Sequence, residues 1–194
     1  MNKRRSLLVG ALAAGGVGQA RTAPAPAAAG ASLLTVAGAL ARSNRGALDP
    51  ALDQLMVKHK AKFSQARQFD AAMLARLPAV TITPTLEYDA KPHRLRGPLL
   101  STVVEAAGVP AHASVMLGLR AIDGYTVGVS LADARAYGMI VATALDGIPM
   151  GLGGLGPCWA VYDADRLPAF KDKPLNERFG LCPWGLYFIE VKAA

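Results

Sequence analysis

The sequence predicts an α+β domain: a mostly antiparallel β sheet or barrel with short flanking helices. Three observations carry this prediction. Short runs of β-branched and apolar residues outnumber segments with helical periodicity. Two Asp-Gly dipeptides, Asp123-Gly124 and Asp146-Gly147, each sit between strand-like halves, where they favour tight hairpin turns. No strand-helix-strand alternation dominates, so a doubly wound parallel sheet is not expected. With 194 residues, 52% hydrophobic and only 18% charged, the chain is long enough to fill one core and short for two.

The first segment, MNKRRSLLVGALAAGGVGQARTA, has a signal-peptide layout over residues 1–23: cations at Lys3, Arg4 and Arg5, an apolar run from Leu7 to Val17, and a small-residue exit. That run is shorter than the roughly 20 apolar residues a membrane-spanning helix needs, so no transmembrane helix is expected in the mature chain. Arg4-Arg5 before Ser6-Leu7-Leu8 also matches a twin-arginine signal, and the general and twin-arginine export routes stay open. Residues 24–31 continue as a Pro/Ala linker without period. The ordered domain is expected over residues 32–194.

SLLTVAGAL alternates Leu34 and Val36 against Thr35 and Ala37, a first strand. Asp49-Pro50 reads as a helix cap followed by proline at the first helical position, with Leu52, Leu55 and Met56 as its apolar stripe. Asp70 caps a short helix that turns Met73, Leu74 and Leu77 inward and stops at Pro78. AVTITPTLEYD is extended. PLLSTVVEAA reads as a helix over residues 98–107, entered at Pro98 and left at Gly108. SVMLGLRAIDGYTVGVS is a hairpin, Ser130 caps a helix that Gly138 ends, and MIVATALDGIPM is a second hairpin. CWAVYD and WGLYFIEV supply two more strands. The two hairpins have different flanks, so they are not an internal repeat.

Charge and motif chemistry then narrow the function. Lys3, Arg4, Arg5 and Arg21 are four of the 21 basic residues, so without them 17 face 14 acidic residues, about +3. No basic block with interleaved aromatics remains, which argues against nucleic acid. The glycines of GLGGLGPCWAVYD, residues 151–163, lead into an apolar strand, not a helix with Lys-Ser/Thr, so they do not read as a phosphate cradle. His59, His93 and His112 show no ligand spacing and are expected to have no carboxylate partner nearby, and Cys158 and Cys182 form no Cys-x-x-Cys pair, so no metal site is expected. Export would permit the two cysteines to form a disulfide; their spacing alone does not decide it. Pro157 and Trp159 give Cys158 no base or cation, which favours an inert thiol. Tyr125, Trp159 and Tyr162 lie in strands or at their starts, where aromatic faces that converge on one edge would hold a planar heterocycle.

In order, LARLPAVTITPTLEY, RLRGPLLSTVVEAAGV, LRAIDGYTVGVSLADA, MIVATALDGIPM and GPCWAVYDADRLP resemble the oxidoreductase molybdopterin-binding domain, the sulfite oxidase fold, and most closely its short exported stand-alone members. The resemblance covers about residues 32 to 192. In catalytic members a cysteine before the Gly-x-x-Leu helix entry ligates molybdenum. Here TITPTLEYDAKPHRLRGPLL has none, and Thr83 or Thr85 falls about where it would stand. A threonine hydroxyl does not replace a thiolate. The resemblance therefore implies a pterin or molybdopterin ligand without molybdenum and without catalytic residues. It implies a periplasmic protein that senses a pterin and signals through a partner such as a membrane cyclic-di-GMP enzyme. Tyr125 and Trp159 would contribute ring contacts; Thr83, Thr85, Asp123 and the backbone around Gly156 and Pro157 would bond the amino-pyrimidine edge; Arg94 or Arg96 would meet a polar tail. A molybdopterin-dependent oxidoreductase anchored by Cys158 or Cys182 and a ligand-free accessory subunit are the alternatives.

Overall fold

The computed structural model describes residues 30–193. The signal peptide expected over residues 1–23, and the linker up to residue 29, lie outside the described residues. The described chain is a mixed α+β structure, mostly antiparallel, with few and short helices. Its strands form three sheets, and none closes into the barrel that was the alternative expectation.

The largest sheet has five strands: β1 (Ser32–Gly38), β2 (Ala66–Asp70), β5 (Val115–Ala121), β6 (Thr126–Ser130) and β11 (Leu186–Ala193), in the order β2-β1-β11-β5-β6. Every pairing is antiparallel except β1 with β11, which run parallel at the centre. Period-two alternation puts Leu34 and Val36 on one face, with Leu117, Leu119, Ile189 and Val191 in the main core. Ala37, Tyr187 and Phe188 face the other way, into a smaller cluster with Met56 and Ala61. Burial of one such aliphatic side chain contributes about 1.5–3 kcal/mol, so both faces of this sheet contribute to stability.

A second sheet has the order β3-β4-β8-β9, from β3 (Ala79–Ile82), β4 (Leu95–Pro98), β8 (Ala144–Leu145) and β9 (Ile148–Pro149). The third pairs β7 (Ile140–Ala142) with β10 (Trp159–Val161), both fully buried. Gly97 lets β4 lie against β7: a Cβ there would stand 1.9 Å from the Val141 carbonyl oxygen, so no larger residue fits.

Four helices connect these sheets: α1 (Gln54–Lys58), α2 (Ala71–Ala75), α3 (Leu100–Ala106) and α4 (Leu131–Ala136). Two caps form as the sequence predicts, with Asp70 accepting from the Met73 amide (2.7 Å) and Ser130 from the Asp133 amide (2.9 Å). Both Asp-Gly turns form. Asp146 and Gly147 take φ of 50° and 84°, the left-handed pair of a tight hairpin turn.

Other expectations are corrected. Asp49 does accept from the amides of Ala51 and Leu52, but the helix begins only at Gln54. Its supposed stripe is largely exposed, with Leu52 82% and Leu55 42% accessible and only Met56 buried. Pro98 ends β4 and does not open a helix; α3 starts two residues later, with Leu99 at its cap. Ala66–Asp70, of which the sequence marks only Asp70, as a helix cap, is a full strand. No described helix is long and apolar enough to cross a membrane.

Candidate ligand-binding cleft

The residues singled out in the sequence do not form one site; they divide among separate clefts. The most chemically varied is a cleft of about 300 Å³ at the end of the β5-β6 hairpin. Ala121, Phe179, Cys182 and Pro183 line it with Asn176 and Gly180, and Tyr88, Tyr125, Trp184, Glu87 and Asp123 add aromatic faces and carboxylates. The three aromatics among these are 57%, 49% and 40% exposed, respectively, so their faces are open to a ligand.

Local chemistry explains their placement. Asp123 accepts from the Tyr125 amide (2.8 Å), an Asx turn that fixes the start of β6. The Tyr125 hydroxyl donates to the Gly180 carbonyl (2.7 Å), which holds its ring against the cleft. Trp184 pairs through its backbone with Trp159 of β10, and Ile122 donates its amide to the Gly185 carbonyl (3.0 Å). Glu87 and Tyr88 are carried by the segment between β3 and β4, which folds back on itself: Leu86 donates to the Lys91 carbonyl and His93 to that of Pro84. This segment is tied down twice. The Thr85 amide donates to Asp165 (2.7 Å), itself paired with Arg178 (2.8 Å). Both ring nitrogens of His93 lie within hydrogen-bond distance of a carboxylate, Nδ1 of Asp146 (2.7 Å) and Nε2 of Asp89 (3.0 Å), and the protonated ring donates to both. These two carboxylates raise the His93 pKa above its ordinary value. The expectation that no carboxylate partners the histidines is therefore corrected for His93: Asp89 stands four residues earlier in the same folded-back segment, and the turn carrying Asp146 is distant in sequence and adjacent in space.

The phenol and thiol groups at and behind the cleft stay protonated for identifiable reasons. Burial first, and then the Glu87 charge, push the Tyr88 hydroxyl up to about 12, so it remains a donor. Burial pushes the thiols of Cys158 and Cys182 up to about 12 each, and both are free and buried. Among the described residues no group of three or more His, Cys, Asp or Glu side chains has a metal-holding arrangement.

Of the residues expected to contact a pterin, Asp123 and Tyr125 line this cleft. Trp159 does not. It is 1% exposed, donates its indole N–H to the Cys182 carbonyl (2.9 Å), and packs on Phe179 at 6.2 Å, one residue behind the cleft. Tyr162 is also fully buried, stacked on Phe170 at 4.5 Å. Thr83 lines a different cleft of about 410 Å³ with Asp163 and Tyr137. The Thr85 amide donates to Asp165, its backbone bridges to Pro92, and the Arg94 amide donates to Asp146 (2.8 Å). Arg96 and Pro157 line a third cleft, and Gly156, buried at a cis bond to Pro157, bridges to Leu152. Sequence reasoning missed Glu87, Tyr88, Phe179 and Trp184 as lining residues. The available signals were the Glu87-Tyr88 pair inside the quoted stretch and the Pro183-Trp184-Gly185 turn ahead of the last strand.

Compared with models of known protein families and with curated proteins, the sequence matches none.

Proposed function

We propose that the protein is an exported, non-catalytic pterin-binding protein of sulfite-oxidase-like fold, and that the cleft of Tyr125 and Trp184 is its pterin site. One observation carries the reading: three exposed aromatic side chains and two carboxylates, Glu87 and Asp123, converge on one cleft of about 300 Å³. A pterin is flat, and its amino-pyrimidine edge presents adjacent N–H donors. Aromatic faces stack on such a ring, and a carboxylate accepts from such an edge. The cleft lies at the lower end of the about 300–1,000 Å³ usual for small-molecule sites, which suits a compact bicyclic ligand. The stretch in which the resemblance expects the metal anchor enters this cleft, through Glu87 and Tyr88.

A molybdenum anchor fits the residues poorly. Cys182 lines the cleft, which is the observation in favour of an oxidoreductase. The residue is 4% exposed, with burial first and then the Glu87 charge opposing the thiolate a metal requires. Signalling through a partner accords with the position of Tyr88 and Trp184, which line both the cleft and a surface depression formed by Gly153, Gly154 and Leu155. A bound ligand would thus touch side chains that a partner also reaches.

Denaturing the purified protein and identifying the released small molecule by mass and absorbance tests the proposal. The expected result is a pterin without stoichiometric molybdenum. Stoichiometric molybdenum would overturn the reading in favour of the oxidoreductase, and co-purification with a membrane partner but with neither pterin nor metal would favour the accessory subunit.

A further inference from the structure

Among the described residues a more spacious cleft, of about 770 Å³, lies apart from the aromatic one and is independent of the pterin reading. It lies where the start of β1, helix α2, strand β4 and the segment from Thr143 to Leu152 meet. Its walls are mostly apolar: Leu33, Ile122, Met150 and Leu152 supply long side chains, and Ala71 and Ala75 keep it open along α2. Leu152 is 76% exposed at the mouth, an apolar side chain with nothing described to cover it.

Into this apolar cleft the fold places one cation, Arg96 of β4. No aspartate or glutamate lines the cleft, and among the described residues Arg96 joins no ion pair. The hydroxyls of Ser32 and Thr143 add the only other side-chain polar groups of the lining. A guanidinium accepts a carboxylate through two parallel N–H···O bonds, and that pairing strengthens as an apolar body displaces water around it. A single cation matches a monoanion; a phosphate dianion would call for more positive charge than the lining holds. We infer that this cleft is a second binding site, for an amphiphilic carboxylate whose head group pairs with Arg96 and whose apolar tail lies along Leu33, Ile122, Met150 and Leu152.

Titration calorimetry of the full protein with decanoate, below its micellar concentration, tests this, with decanol as the uncharged control. Saturable decanoate binding is expected, at least about tenfold tighter than decanol. Arg96→Gln is expected to weaken decanoate about tenfold or more and to leave decanol unchanged. Ala75→Phe fills the cleft from an exposed position and is expected to weaken both ligands, with the far-ultraviolet circular dichroism of the wild type retained. Absence of decanoate binding, equal affinity for decanol, or an affinity untouched by Arg96→Gln would each overturn the assignment.

Discussion

Two tryptophans, 25 positions apart in sequence and paired through their backbones, have opposite roles. Trp159 is a core residue with its indole N–H satisfied, while Trp184 stands 40% exposed at the aromatic cleft. Trp159→Ala should therefore cost about 3–5 kcal/mol in urea unfolding, the range for deletion of a large buried aromatic. Trp184→Ala should leave stability within about 1 kcal/mol. The opposite ranking would mean that the two residues have been exchanged in the account. Residue type alone could not separate them: both precede apolar strands, and which one is buried follows from the packing of Phe179 and Cys182 brought from elsewhere in the chain. Cys158 was better legible, since the absence of a neighbouring base or cation already favoured an inert thiol, whereas its pairing with Cys182 was left open and the structure has both thiols free and buried. Both should resist Ellman's reagent in the native protein and both should react once it is unfolded in guanidinium without reductant. Silence in guanidinium would reveal a disulfide and contradict the free, buried thiols.

At the scale of elements, local chemistry was readable and non-local pairing was not. The caps at Asp70 and Ser130 and the two Asp-Gly turns involve residues within three or four positions of one another, and all formed as expected. Strand β4 was hidden because Pro98 also suits a helix entry; the strand exists through its partners in β3 and β8, which sequence periodicity does not see. The same blindness applied to the segment that delivers Glu87 and Tyr88. It is held to the β8-β9 turn by His93 between Asp146 and Asp89. The His93 pKa is raised, first by the bond to Asp146 and then by that to Asp89, so its contribution is complete below the unfolded value of about 6.5 and fades as pH rises through the folded value. The pKa values of Asp89 and Asp146 are lowered, chiefly by His93, so their contribution fades only as pH falls through those low folded values. Lys91 and Arg94 are the other charges facing the two carboxylates. Thermal unfolding of wild type and His93→Asn at about pH 5.5 and about pH 9 should show a deficit for the variant at the lower pH that shrinks at the higher. A deficit that is constant or grows with pH would contradict the clamp. Because the groups are solvent-accessible, the deficit should be modest and should fall with added salt.

For the whole molecule, the coarse class was legible and the assembly was not. Short alternating runs implied antiparallel strands, yet the centre of the main sheet is a parallel pair joining the first and last described strands, β1 and β11. No local signal announces a contact between residues more than 150 positions apart, such as Thr35 with Phe188. That long-range closure also sorts the candidate residues. It leaves Asp123 and Tyr125 on the aromatic cleft, Thr83 on a second and Arg96 on a third, so a list that is plausible residue by residue becomes three places on one surface. The first of these places is the one proposed to bind a pterin. Calorimetric titration of the protein with 7,8-dihydroneopterin tests it most directly, alongside Trp184→Ala and Arg96→Gln. One saturable site is predicted, weakened about tenfold or more by Trp184→Ala and unchanged by Arg96→Gln. A flat titration, or binding that Trp184→Ala leaves intact, would contradict it.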